Sequence, residues 1–128
     1  MKANELRINN LVDRVDYICN VKAIDEDGVI LEPINYKGEV SGFQELKPIK
    51  LNKKWLVKLG FKHIGKNDYA IDVSFDTQLI ICSDLHFIFQ DVFDIKIFTT
   101  FSGRKIQYVH QLQNLYFALT GEELKIEL

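Results

Sequence analysis

Three side chains with the ingredients of a nucleophilic relay, Cys82, Asp84 and His86, stand two residues apart in the chain. A thiol, a carboxylate and an imidazole can serve as nucleophile, orienter and base when they touch in series. The spacing opposes it. On a strand such positions share a face but lie roughly 6.6 Å apart, so three of them spread over about 13 Å and cannot close a hydrogen-bond relay. The pattern reads as a half-buried strand with a polar face, and no catalytic residue is expected. Metal ligation is equally weak, because His63, His86 and His110 show neither an HxxxH nor a Cys–His spacing. Neither a metal nor a cofactor is expected. Ser102-Gly103-Arg104-Lys105 could hold an anion on backbone amides at the start of a following helix. Two cations there oppose the helix dipole, so the segment reads as a turn.

One charge feature stands out. Between Lys47 and Lys66 lie seven lysines (Lys47, Lys50, Lys53, Lys54, Lys58, Lys62 and Lys66) and no acidic residue, which leaves nine of the 16 Lys and Arg to face 18 Asp and Glu. The net charge of -2 conceals this polarity. Lys50, Lys54 and Lys58 recur at i, i+4, where like charges mildly destabilise a helix. A basic stretch beside Trp55 can bind nucleic-acid phosphates, with those three lysines as the first candidates. The plain alternative is a solvated lysine face, and the stretch has neither arginines nor an aromatic ladder.

The elements that would position these groups follow from periodicity. The stretch from Ile106 to Gly121, IQYVHQLQNLYFALTG, reads as the longest helix and carries no charge. At 100° per residue Leu115, Tyr108, Leu119, Leu112, Tyr116 and Val109 fall in one arc, a core-facing stripe. Gln113 projects inside the apolar sector, so its amide is expected to be held by hydrogen bonds to neighbouring backbone. Gln107, His110, Gln111, Asn114 and Ala118 occupy the open arc. Because that arc lacks the Lys and Glu of a free surface, His110, Gln111 and Asn114 are expected to lie against another segment or a second copy of the chain. Gly121 is expected to cap the helix in the left-handed conformation.

Upstream, Leu6 to Leu46 reads as short strands. Val15, Tyr17, Cys19 and Val21 alternate with Asp16, Ile18 and Asn20, Asp25-Glu26-Asp27-Gly28 makes a hairpin turn, and Pro33 ends the returning strand or places it at an edge. Gly38 and Gly42 break the segment before Phe43 and Leu46. Such strands could close into a small SH3-like barrel or stay an open meander. Asn52 can cap a short helix carrying Trp55, a core anchor, with Leu56 and Leu59, stopped in Schellman fashion by Gly60-Phe61. Gly65-Lys66-Asn67-Asp68 then turns the chain into alternating Tyr69, Ile71, Val73 and Phe75. Leu79 to Cys82, Leu85 to Gln90 and Ile95 to Phe98 read as further strands, and Leu124, Ile126 and Leu128 as a last one.

The expected fold is therefore α+β, a mainly antiparallel sheet with a short middle helix and a long C-terminal helix packed on it. With 128 residues and 47% hydrophobic content the chain suits a single domain, 1–128, whose β-rich first half (1–50) precedes a half (51–128) of helix, meander, helix and strand. Cys19 and Cys82 read as free thiols. The polar start and the lack of any apolar run near the roughly 20 residues of a membrane span point to a cytoplasmic protein with no membrane contact.

Three segments, LRINNLV at 6–12, KWLVKLGF at 54–61 and YVHQLQNLYFALTGEELKI at 108–126, together resemble a family of short proteins of Bacteroidetes bacteria, their phages and mobile elements. Residues 62–105 match it only loosely. The family has no established activity, so the resemblance implies a phage or mobile-element setting and nothing about a reaction. Its members tend to carry acidic residues where this chain has Lys53-Lys54, which counts against nucleic-acid binding as a family-wide role. The functional expectation is a small non-catalytic binding or interaction protein, its partner a second protein or another copy of itself, with nucleic acid as the alternative.

Overall fold

In the computed structural model, residues 5–14, 17–25, 28–34, 40–41, 46–82, 85, 87–91, 97–99 and 105–127 are described. The chain is mixed α+β, with two open antiparallel sheets and two helices among the described residues. It divides into two compact units, residues 1–50 with 108–114 and residues 51–107 with 115–128. The boundary at Lys50 is where the composition changes from β-rich to mixed. The short segment 108–114 belongs with the first unit, across more than fifty residues of chain, for reasons given below.

The first unit holds β1 (Leu11–Arg14), β2 (Tyr17–Asp25), β3 (Gly28–Pro33), β4 (Val40–Ser41) and β5 (Leu46–Lys47), in the order β4-β3-β2-β1-β5. The hairpin forms as its turn residues require, with Asp25 opposite Gly28 at φ 153°, a value glycine alone adopts freely. A bulge between Val21 and Ala23 leaves Lys22 as the extra residue. Because side chains alternate with period two, one extra residue changes the phase, so Cys19 and Val21 point inward before the bulge and Ile24 joins the same core after it. Simple alternation misses that switch. Tyr17, expected on the inner face, is exposed. The core is Leu6, Val12, Cys19, Val21, Val29, Leu31 and Leu46.

The choice between barrel and meander resolves as an open sheet with β4 and β5 at its two edges.

The second unit holds α1 (Lys53–Lys58) and a meander of β6 (Lys62–His63), β7 (Tyr69–Asp72), β8 (Thr77–Ile81), β9 (Phe87–Asp91) and β10 (Ile97–Thr99), in the order β10-β9-β8-β7-β6. Helix α1 is capped at both ends as its sequence dictates. Asn52 Oδ1 accepts from Trp55 N at 3.0 Å. At the other end Gly60 adopts φ 91°, Gly60 N donates to Val57 O at 3.1 Å, and Phe61 N donates to Leu56 O at 3.0 Å. That pair of bonds is the Schellman stop, with Leu56 and Phe61 both buried beneath it. Trp55 differs from its expected role: it is half-buried, with Lys58 Nζ 4.9 Å from its ring centroid, while Leu56 and Leu59 supply the core.

Strand β7 is shorter than its alternation suggests. Asp76 accepts from Ser74 Oγ at 2.7 Å and Thr77 Oγ1 at 3.1 Å, and Val73 N donates to Thr77 O, so side chains turn the chain where the hydrophobic pattern would extend it. Phe75 is left 87% exposed. Strand β8 stops at Ile81, before Cys82, and Leu85 N donates to Cys82 O across a turn in which Leu85 has φ 67°. Cys82 is thus not on the strand that would align it with Asp84 and His86, two residues outside those described. Ser102 to Arg104, Gly38, Gly42 and Phe43 also lie outside them. Residues 123–127 form no strand; Leu124 is buried, and Glu127 N donates to Lys58 O at 2.8 Å.

Helix α2 spans Val109–Thr120, shorter than expected because Ile106 and Gln107 spend their backbone on extended partners, Leu85 O and Leu51 N. Gly121 caps it at φ 72°, its N–H donating to Phe117 O at 2.8 Å. Both cysteines are free thiols. Among the described residues no helix is long and apolar enough to cross a membrane.

Candidate nucleic-acid interface

The seven lysines do not form one surface by proximity in sequence alone. Lys47 and Lys50 belong to the first unit, both exposed, and Lys50 pairs with Tyr108 in an isolated bridge. Helix α1 begins at Lys53, so of the i, i+4 series only Lys54 and Lys58 share a helix. The repulsion expected along that series is thereby reduced to one pair.

The remaining five, Lys53, Lys54, Lys58, Lys62 and Lys66, lie in the second unit, where folding brings two segments together. Lys53 Nζ donates to Asn67 Oδ1 at 2.9 Å, which ties the first turn of α1 to the loop joining β6 and β7. The same loop carries Lys66, whose carbonyl lies 3.1 Å from His63 Nε2. A carbonyl only accepts, so that nitrogen holds the imidazole proton. The His63 ring stacks on Tyr69 with centroids 5.0 Å apart, leaving His63 exposed beside Lys62 on the edge strand β6. None of the five lysines makes an ion pair among the described residues; the pair Lys22–Glu32, at 3.1 Å, is in the other unit. The result is a lysine-rich edge, with Asp68 in the same loop and Asp72 on the neighbouring strand β7. Edge lysines also serve to discourage strand pairing between molecules, which is the purely structural role available to them.

The charge-free arc of α2 divides. His110 is 3% exposed and Asn114 half-buried, while Gln111 is exposed. Asn114 Oδ1 accepts from Asn10 Nδ2 at 2.8 Å and Arg7 Nε at 3.2 Å, and its Nδ2 donates to Glu5 O at 3.3 Å. Gln111 instead turns back to accept from Tyr108 N at 3.2 Å, closing the helix start. Asn114 thus meets residues 5–10 of the same unit, while the His110 ring stacks on Tyr108 with centroids 5.9 Å apart. Gln113 is held as expected, its Oε1 accepting from Leu11 N at 2.8 Å and its Nε2 donating to Asn9 O at 3.2 Å.

These bonds make a polar centre from the segments 5–11 and 109–114. Asn10, fully buried, also accepts from Arg7 N at 2.7 Å, and Asn9 adopts φ 76° to make the turn. Neither Arg7 nor Asn10 was identified from the sequence as a partner of the helix; the Asn9-Asn10 pair, prone to left-handed turns, was the available signal. The buried face of α2 accordingly comprises Val109, His110, Leu112 and Gln113, turned toward the amides from the purely apolar stripe, and Leu119 is left exposed. His110 Nδ1 finds no hydrogen-bond partner among the described residues. Burial pushes the imidazole pKa down, an effect opposed by the Glu5 carboxylate.

No family model matches the chain, and no curated protein or solved structure matches it.

Proposed function

We propose that this is a non-catalytic binding protein and that its second unit binds the phosphates of nucleic acid along the edge running from α1 through β6 to the β6–β7 loop. The observation that carries the reading is the Lys53–Asn67 bond, which draws two lysine-bearing segments together with none of their lysines in an ion pair among the described residues. Like charges gathered at a surface oppose compactness mildly, and a polyanion removes that cost while releasing its own counterions. Affinity for DNA and RNA should fall steeply with salt. Replacing Lys54 and Lys66 together with Gln should flatten the plot of log affinity against log salt by about 1.4 for a single strand. Absence of binding at low salt, measured by anisotropy of labelled oligonucleotides, overturns the reading.

A protein contact is the second reading, favoured by Phe117 and Leu119, exposed on the half of α2 that belongs to the second unit and carries no charge. Replacing Leu119 with Glu would then lower the molar mass seen by light scattering. An unchanged mass removes it.

A further inference from the structure

The sheet of the second unit carries a depression of about 210 Å³, lined by Gly60, Lys62, Ile64, Ala70, Ile71, Asp72 and Gln78. It exists because its middle is made of small residues. Gly60 is the left-handed stop of α1 and has no side chain, and Ala70 sits opposite Lys62 in the β6–β7 register. A β-carbon on Gly60 would come within 3.8 Å of Ile71 Cδ1, and its φ of 91° is strained for any other residue. Around this floor stand three polar groups and one apolar wall. Asp72 and Gln78 are directly paired across β7 and β8, and Gln78 Nε2 donates to Asp72 Oδ1 at 3.1 Å, which orients the carboxylate. Lys62 lines the same depression but forms no ion pair with Asp72. Ile64 is half exposed beside them.

The space is smaller than the roughly 300 Å³ at the low end for drug-sized ligands, so it suits one small ring system. A carboxylate accepts two hydrogen bonds side by side, and an ammonium only donates. A planar group that fits both must present two adjacent donors and then an acceptor. Among the bases, guanine does so on its Watson–Crick edge, with N2–H and N1–H next to O6. Adenine and cytosine offer one exocyclic donor beside acceptors, and uracil or thymine a single donor between two acceptors. Such an edge is free only in an unpaired strand, where recognition of bases by their Watson–Crick edges is usual.

We propose that the depression between Lys62, Asp72 and Gln78 is a guanine pocket, so that the nucleic acid bound along the lysine edge is single-stranded and read at one guanine. Asp72 accepts from N1–H and N2–H, Lys62 donates to O6, and Ile64 with Ala70 packs on the ring. This rests on the nucleic-acid reading above and names its substrate class. Because Lys62 and Ile64 belong to the same edge strand and loop as the phosphate-binding lysines, one strand can meet both.

The test measures anisotropy of labelled oligothymidylate about ten nucleotides long, with thymine, guanine or hypoxanthine at its centre. Guanine should bind about tenfold more tightly than thymine, the discrimination of one bidentate contact. Hypoxanthine, which lacks only the N2 amino group, should lose most of that advantage with the protein unaltered. Asp72→Asn should abolish the guanine preference while retaining affinity for oligothymidylate. Equal affinity for guanine and thymine oligonucleotides overturns the pocket and leaves the phosphate reading standing, and so does full retention of the preference by hypoxanthine. No binding to any oligonucleotide overturns both.

Discussion

The start of α2 and the lysine edge of the second unit are both polar stretches, yet one is buried and the other stays in water. Asn10 and Gln113 are buried and His110 nearly so, while Lys53, Lys54, Lys62 and Lys66 are exposed. The difference is what each group leaves behind when water goes. An amide carries donors and acceptors that a turn such as Arg7 to Asn10 can match one for one, and the net cost then vanishes. An ammonium carries three donors and a full charge, and burying it without a carboxylate costs several kcal/mol. Folding therefore uses the amides to join distant segments and leaves the lysines in water.

The largest test of this contrast is Leu112→Ala. Leu112 is fully buried on the face that carries the amides, and its loss should cost about 2 to 5 kcal/mol in a denaturant titration. A midpoint like that of the parent would mean that α2 does not organise the first unit. Next is Gln113→Met, which keeps the length and removes the amide. Leu11 N–H then stays buried without its partner, at about 1 to 3 kcal/mol. Were this variant as stable as the parent, apolar packing alone would explain the helix position.

His110 sharpens the comparison through pH. Its folded pKa is pushed down from the ordinary 6.5 by burial. Below about 6.5 the unfolded chain takes up a proton that the folded chain refuses, so this group's contribution is complete above that pH and is lost as pH falls toward the folded value. His110→Gln should remove that part of the pH dependence of the unfolding midpoint; an identical profile would place the imidazole in water. The smallest effects belong to Gln111→Glu and Lys66→Gln, both at exposed positions and each expected within about 0.5 kcal/mol of the parent by thermal melting. A larger loss at Gln111 would instead show a contact on that side of the helix.

Local signals were fully legible where the physics is local. Asn52 and Gly60-Phe61 bounded α1 because a side-chain cap and a left-handed glycine act within a few residues of themselves, and Gly121 ended α2 for the same reason. The hairpin at Gly28 and the mixed α+β class followed from turn residues and period-two alternation. The bulge at Lys22 was not legible, since an extra residue is visible only against the partner strand. Nor was the turn at Val73 to Asp76, where side-chain bonds from Ser74 and Thr77 outweigh an apolar alternation that would run on to Phe75.

By itself the sequence determined which residues cap α1 and which glycine ends α2, where the chain changes character at Lys50, that Gln113 needs partners, and that seven lysines follow one another without an acid between them. Only tertiary structure decided who those partners are and which lysines share a surface. Arg7 and Asn10 meet Asn114 across about a hundred residues, and Lys53 meets Asn67 across a helix and an edge strand. Such pairings are set by the path of the chain between them. Hydrogen bonds of a few ångströms then select among the few arrangements that path allows, and no spacing in the sequence encodes that selection.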